Sequence, residues 1–171
     1  MTESILNGKR ILAVDDEQDV LAVLEEEILT SCPNCKVDKA TTYEEAANKL
    51  RSEIFDIVIL DIMGVRGFDL LDLAVGRNLP VAMLTAHALN PEALKRSFDM
   101  KARAYLPKEK LGEVVPFLED VLTYEFEPGW KRLLNKLGGF FHAHFKDMKD
   151  YTGLTFYLEG KKTGLIKIGD D

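Results

Sequence analysis

The chain has 171 residues, 46% apolar and 30% charged, which is enough for one ordinary core with at most a small appendage. Its 22 Lys and Arg against 29 Asp and Glu give a net charge of −7, which argues against a chain-wide basic field for gripping nucleic acid. No apolar run approaches the roughly 20 residues of a membrane span, and the start lacks a signal-peptide pattern, so we expect a cytoplasmic protein without membrane contact.

Residues 1–127 alternate short apolar runs with segments of helical period, the pattern of a parallel sheet wrapped by helices. The first helix is predicted over 18–30. Thr42 with Glu45 forms a capping-box pattern, and Asn90 with Pro91 reads as a cap and first helical turn. The last helix is predicted over 111–124. The predicted strands are 10–14, 36–40, 57–60, 81–84 and 104–106, giving five β-α units.

The C-terminal piece differs from the rest in charge and pattern. Residues 128–171 carry eight Lys or Arg and five Asp or Glu, against 14 and 24 before them, so the two net charges are +3 and −10. Pro128-Gly129 predicts a break, which divides the chain into domains 1–127 and 128–171. Gly138-Gly139 predicts a kink or a split in the amphipathic helix that follows, and 154–158 with 165–168 predicts a small hairpin. The apolar stripe of that helix comprises Trp130, Leu133, Leu134, Leu137, Phe140, Phe141, Phe145 and Met148.

An apolar stripe of this size is expected to pack against another surface, and three alternatives remain open: the first domain, a second copy in a homodimer, or another protein. The stretch does not read as a helix-turn-helix, so nucleic acid is not an expected partner. The two cysteines, Cys32 and Cys35, follow an apparent helix and lack further ligands for zinc, so we interpret them as loop residues.

Polar residues follow the predicted strands at one edge of the sheet, where ligands bind in open parallel sheets. Asp15 and Asp16 follow the first strand, Asp61 the third, Thr85 the fourth and Lys108 the fifth. Three carboxylates at one place repel one another, and a hard divalent ion with oxygen ligands offsets that repulsion. The set predicts phosphoryl transfer at a Mg²⁺ site, with Mn²⁺ as the alternative ion and a carboxylate of the site as acceptor.

Residues 11–17, 59–63, 83–86 and 105–108, with sequences ILAVDDE, ILDIM, MLTA and YLPK, resemble the receiver domain of two-component response regulators. The resemblance covers roughly residues 8–125. It implies a flavodoxin-like (βα)5 fold with strand order 2-1-3-4-5, and a phosphoacceptor that is not a turnover enzyme. The expected donor is a histidine kinase or a histidine phosphotransfer protein, with a downstream protein as recipient of the signal.

The resemblance also implies individual roles. Asp61 would accept the phosphoryl group; Asp16 and Asp61 would ligate the metal directly, and Asp15 through water. The Met63 backbone carbonyl would complete the protein ligands. The phosphoryl oxygens would be met by Thr85, Ala86 and Lys108. Tyr105 would rotate inward on activation and change the surface formed by the fourth helix, fifth strand and fifth helix.

The chain departs from the family pattern in three places. The loop after Asp61 lacks the usual proline and is two residues shorter, with Gly64 as the candidate for supplying the bend. Glu109 replaces the usual proline after Lys108, so that bond is expected to be trans. The positions that flank the hydrolytic water hold Met63 and His87, from which we hypothesise slow autodephosphorylation.

Three other classes of protein compete with this interpretation. A DNA-binding response regulator would use the C-terminal piece as an atypical output module. A haloacid dehalogenase-type phosphatase would carry an acid-base Asp two residues after its nucleophile, where this chain has Met63. A pseudo-receiver would have lost acceptor residues, whereas all five are present.

Overall fold

The computed structural model describes residues 3–86 and 90–144, and among these the side chains of Pro91 and residues 139–144 are not described. Five parallel strands form one sheet in the order β2-β1-β3-β4-β5, which confirms the flavodoxin-like prediction. The strands are β1 Arg10–Val14, β2 Lys36–Ala40, β3 Ile57–Asp61, β4 Val81–Thr85 and β5 Ala104–Pro107. The helices are α1 Gln18–Ser31, α2 Tyr43–Ser52, α3 Gly67–Gly76, α4 Pro91–Asp99, a 3₁₀ helix Lys108–Glu113, α5 Val114–Thr123 and α6 Phe126–His144.

Strands β3 and β4 lie at the centre of the core, and all five residues of each are buried. Both are one residue longer than predicted, so Asp61 and Thr85 are the last residues of their strands rather than the first residues of loops. Burial on both faces explains their uniformly apolar sequence up to that point. The polar residue that ends each strand therefore marks the edge of the core.

The predicted helix caps are present, with one change. Thr42 accepts a hydrogen bond from the Glu45 backbone N–H at 3.2 Å, and Asn90 accepts from the N–H groups of Glu92 and Ala93. The Glu45 carboxylate, however, accepts from the N–H of Thr41 and not from Thr42 as a capping box requires. The predicted last helix over 111–124 is divided into the 3₁₀ helix and α5.

Helix α6 runs through both of the predicted chain breaks. Pro128 and Gly129 lie inside its first turn: proline is tolerated at 128 because an N–H there would have no helical acceptor, and the Gly129 N–H donates to the Glu125 carbonyl at 2.8 Å. Gly138 and Gly139 lie within the same continuous helix, so they do not split it. Glycine has a low helix propensity, but packing of one helix face can outweigh that cost.

The first half of α6 packs on the sheet domain. Trp130 is fully buried, its indole N–H donates to the Ala102 carbonyl at 2.7 Å, and its ring meets Phe98 of α4 edge to face. On the other flank, Arg132 and Lys136 form ion pairs with Asp120 of α5. The remaining buried residues of this face are Leu133, Leu134 and Leu137.

Of the three arrangements left open for the apolar stripe, packing on the first domain is therefore observed for residues 130–137. A homodimer or a protein partner stays a prediction for the rest, and the predicted hairpin lies outside the described residues. Within the described part of the chain, no helix combines the length and apolar character that crossing a bilayer requires.

Candidate phosphoryl and metal site

The sheet brings the predicted acidic residues together at the carboxyl ends of β1 and β3. One ligand oxygen from each of Asp15, Asp16 and Asp61 lies within 4.8 Å of the others. The Lys108 ammonium, which follows β5, is 2.8 Å from Asp15 Oδ2 and 3.2 Å from Asp61 Oδ1. Thr85 ends β4 opposite Pro107, at the same edge of the sheet, and is 7% exposed. Topology thus gathers residues that lie up to 93 positions apart in the sequence.

Asp15 and Asp61 are buried carboxylates, with 0% and 4% of their surface exposed. Burial raises the pKa of Asp15, against the effect of Lys108. Burial, followed by the negative charge of Asp15, raises the pKa of Asp61, and Lys108 again opposes the rise. The site therefore holds negative charge that its surroundings do not fully compensate.

Lys108 is the cation of this cluster. Burial by itself would lower the pKa of its ammonium, but Asp15 and Asp61 outweigh that effect and the pKa is raised. A third carboxylate, Glu17, lies 3.4 Å from the same ammonium at the exposed rim. Glu17 was not predicted as a site residue; its place directly after the two aspartates was the only signal for it in the sequence.

The donor set fits a hard divalent cation. Asp15 Oδ1 accepts the Glu17 backbone N–H at 2.9 Å. Asp15 Oδ2 is buried without a donor in hydrogen-bond geometry, although the Lys108 ammonium is close to it. Three carboxylates whose oxygens lie within 4.8 Å of one another form the oxygen-rich environment that Mg²⁺ and Mn²⁺ prefer.

The β3–α3 loop contains the remaining predicted ligand, the carbonyl of Met63. That oxygen accepts the Arg66 backbone N–H at 3.1 Å, so one of its two lone pairs is used within a turn. The Met63 side chain is 74% exposed. The metal-ligand role of this carbonyl stays a prediction.

Arg66 is the left-handed residue of this loop, while Gly64 lies inside the turn closed by the bond from the Arg66 N–H to the Met63 carbonyl, so the bend assigned to Gly64 stays a prediction. Arg66 has φ 56° and ψ 54°, and its guanidinium lies 4.0 Å from the ring centre of Tyr43. Gly64 is outside the positive-φ region. The second glycine, Gly67, is required by space, because a Cβ there would lie 2.2 Å from the Asp61 carbonyl oxygen.

Tyr105 points into the protein and is fully buried. Burial raises the pKa of its phenol, while the nearby Asn90 backbone and Thr85 hydroxyl act in the opposite direction. The hydroxyl meets neither group in hydrogen-bond geometry. The structure thus shows the inward position, and movement of the ring on activation stays a prediction.

Three further predictions concern residues near the site and the cysteines. Ala86 is exposed directly after β4, whereas His87 lies outside the described residues. The Lys108–Glu109 bond is trans, as expected. Cys32 and Cys35 are free, buried residues of the α1–β2 loop, which confirms their interpretation.

Comparison with known proteins places this site in a family. Residues 11–115 match the model of the response regulator receiver domain, so the chain belongs to that family. It is 41% identical to the two-component response regulator ARR18 of Arabidopsis thaliana over 87 residues, which are 47% of this chain and 13% of that protein. Its identity to ARR12 of the same plant is 37% over 126 residues, 70% of this chain and 21% of that protein.

Solved structures agree with the assignment. A CheY-like receiver domain protein from Methanospirillum hungatei is 26% identical with a TM-score of 0.56, covering 67% of this chain and 96% of that one. A response regulator from Thermotoga maritima, 19% identical, shares the fold with a TM-score of 0.61 over 68% of this chain and 98% of that one. The chain spans at most about a fifth of the Arabidopsis relatives. It is therefore a two-component receiver domain, a family whose members are typically phosphoacceptors.

Proposed function

We propose that this chain accepts a phosphoryl group on Asp61 in a Mg²⁺-dependent reaction, with a phosphohistidine as donor. The observation that carries the proposal is the Asp61 carboxylate at the end of a central strand, 3.2 Å from Lys108 and within 4.8 Å of carboxylate oxygens of Asp15 and Asp16. A histidine kinase or a histidine phosphotransfer protein would supply the group. Because such donors are charged from ATP, the proposal includes a cytoplasmic location.

The chemistry is a displacement at phosphorus. An ionised Asp61 oxygen forms the new P–O bond, the P–N bond to the donor histidine breaks, and the imidazole nitrogen keeps that electron pair and takes up a proton. The residues proposed to hold Mg²⁺ are Asp16 and Asp61 directly, Asp15 through water and Met63 through its carbonyl. When bound, the ion would neutralise charge on the transferring group.

Lys108 would act on both sides of the transfer. Before it, the ammonium opposes the rise in the pKa of Asp61 and so favours the ionised nucleophile. After it, the same ammonium could pair with a phosphoryl oxygen; its distances of 2.8 Å to Asp15 and 3.2 Å to Asp61, the proposed acceptor, support this role. Thr85 and Ala86 are proposed to meet the remaining phosphoryl oxygens. The group ends on the protein's own side chain, so each chain holds one equivalent until the aspartyl phosphate is hydrolysed.

The expected output surface, formed by α4, β5 and α5, is contacted by α6 of the same chain. Trp130 of α6 packs on Phe98 of α4 and bonds to Ala102 just before β5, while Arg132 of α6 pairs with Asp120 of α5. A change in the position of Tyr105 or α4 would therefore alter the packing of α6 on the receiver, and through it the surface offered to a downstream protein partner. In the described residues α6 is one helix packed on the receiver, which does not favour a DNA-reading module.

Labelling with radioactive acetyl phosphate tests the proposal. Wild-type protein with Mg²⁺ should take up label at Asp61, and label should be lost in Asp61→Asn and in EDTA. Asp72→Asn, an exposed aspartate of α3, is the matched control and should label normally. Undiminished labelling of Asp61→Asn would overturn the assignment of the acceptor. The phosphoprotein half-life, measured in the same samples, tests the predicted slow autodephosphorylation; seconds to a minute would contradict it.

A further inference from the structure

Gly64 lies against the carboxylate of Asp16. A Cβ built on Gly64 would be 2.3 Å from both Cγ and Oδ1 of Asp16 and 2.4 Å from Oδ2. All three distances are far below van der Waals contact. A side chain at position 64 and the present position of the Asp16 carboxylate therefore exclude each other.

The need for glycine here is one of space. Gly64 does not occupy the left-handed region, so another residue could adopt its backbone conformation. By contrast, a Cβ added to Gly76 at the end of α3 would have nothing within 4 Å of it. Position 64 is thus closed to side chains specifically by a carboxylate of the acidic cluster.

The loop backbone is held more firmly than the Asp16 side chain. Hydrogen bonds at 3.1 Å join the Arg66 N–H to the Met63 carbonyl and the Gly67 N–H to the Ile62 carbonyl, and they enclose Gly64. Asp16 is exposed and can rotate towards solvent. A methyl group at position 64 would accordingly move the carboxylate and leave the loop in place.

We propose that Gly64 is a positioning residue for the metal site: it leaves room for the shortened β3–α3 loop to pass over Asp16 while the Asp16 carboxylate stays with those of Asp15 and Asp61. The inference rests on the proposed Mg²⁺ site. It goes further in assigning the glycine of this unusual loop a role in metal affinity. Asp15 would be unaffected, because it is buried and bonded to the Glu17 backbone.

Gly64→Ala tests the inference through binding of Mg²⁺ alone, measured by isothermal titration calorimetry without any phosphoryl donor. The affinity should fall on the order of tenfold to a hundredfold, the range expected when a metal ligand loses its orientation. Thermal unfolding in EDTA should stay close to that of the wild type. Gly76→Ala is the matched control: it should leave the Mg²⁺ affinity unchanged, and as the replacement of a helix glycine it should leave the thermal stability equal or slightly raised.

A double-mutant cycle with Asp16→Asn separates positioning from general damage to the loop. Once the Asp16 carboxylate is absent, Gly64→Ala should weaken Mg²⁺ binding no further. An equal effect in both backgrounds would overturn the inference, as would wild-type affinity or loss of folding in Gly64→Ala. If the wild type itself binds no Mg²⁺, both the proposed function and this inference fail. If the wild type binds Mg²⁺ and Gly64→Ala binds it equally well, the proposed function stands and only this inference fails.

Discussion

Replacing Asp61 by Asn should stabilise the metal-free protein even though it removes the proposed phosphoacceptor. The pKa of Asp61 is raised in the folded protein, chiefly by burial and then by Asp15. A carboxylate with a raised pKa favours folding in its protonated form, and that contribution is lost as the pH rises through the folded-state pKa. Asn imitates the protonated, neutral form at every pH, so the substitution restores that stability near neutrality.

The magnitude follows from the distances in the site. At an effective dielectric of 20, a second carboxylate within 4.8 Å repels Asp61 by at least about 3.5 kcal/mol, and Lys108 at 3.2 Å attracts it by about 5 kcal/mol. Burial of the ionised Asp61, which is only 4% exposed, costs roughly 3 kcal/mol more. Asn removes these three contributions, which leaves a net stabilisation of about 1.5 kcal/mol. In a chain of this length that raises the melting temperature by about 3 to 6 °C.

Thermal unfolding followed by circular dichroism, in EDTA and in saturating Mg²⁺, measures the stability of the metal-free protein and the stabilisation that Mg²⁺ adds. Mg²⁺ at a hundred times its dissociation constant should stabilise the wild type by about 2.7 kcal/mol, or roughly 5 to 10 °C. Asp61→Asn should lose most of that increment, and Asp72→Asn should behave like the wild type in both buffers. A metal-free Asp61→Asn protein less stable than the wild type would refute the reasoning, because Lys108 would then outweigh burial and repulsion.

Two further predictions concern the face covered by α6. Trp130→Ala should lower the free energy of unfolding by about 3 to 5 kcal/mol, because the indole is fully buried and donates a hydrogen bond to Ala102. Chemical denaturation measures this loss, with Asn135→Ala at an exposed position of α6 as the control. A loss below about 1 kcal/mol would contradict the packing of Trp130. A chain ending at residue 127, compared in the same assay, tests the predicted domain boundary, since an independent receiver would keep its stability. Tyr105→Phe should leave the metal-free protein as stable or up to about 1 kcal/mol more stable, because the hydroxyl lost is buried without a hydrogen bond; a clear destabilisation would show that the hydroxyl is bonded.

The sequence was sufficient for the sheet and for most of the acidic site. Apolar runs that end in a polar residue located the central strands, and the topology of a parallel sheet then required Asp15, Asp61 and Lys108 to meet. Asn90 and Thr42 were recognisable as helix caps because a cap depends on residues only two or three positions away. In each of these cases the physical cause is local, or is set by strand order alone.

What only the tertiary structure decided depends on contacts between distant segments. Pro128-Gly129 signals a break by local propensity, yet burial of Trp130 against the sheet domain outweighs that signal and continues the helix. The role of Gly64 was also hidden, because its constraint comes from the Asp16 carboxylate, 48 positions earlier in the chain. Local patterns determined where elements and polar strand ends lie; packing across the fold determined how far the core extends and which loop residue leaves room for a metal ligand.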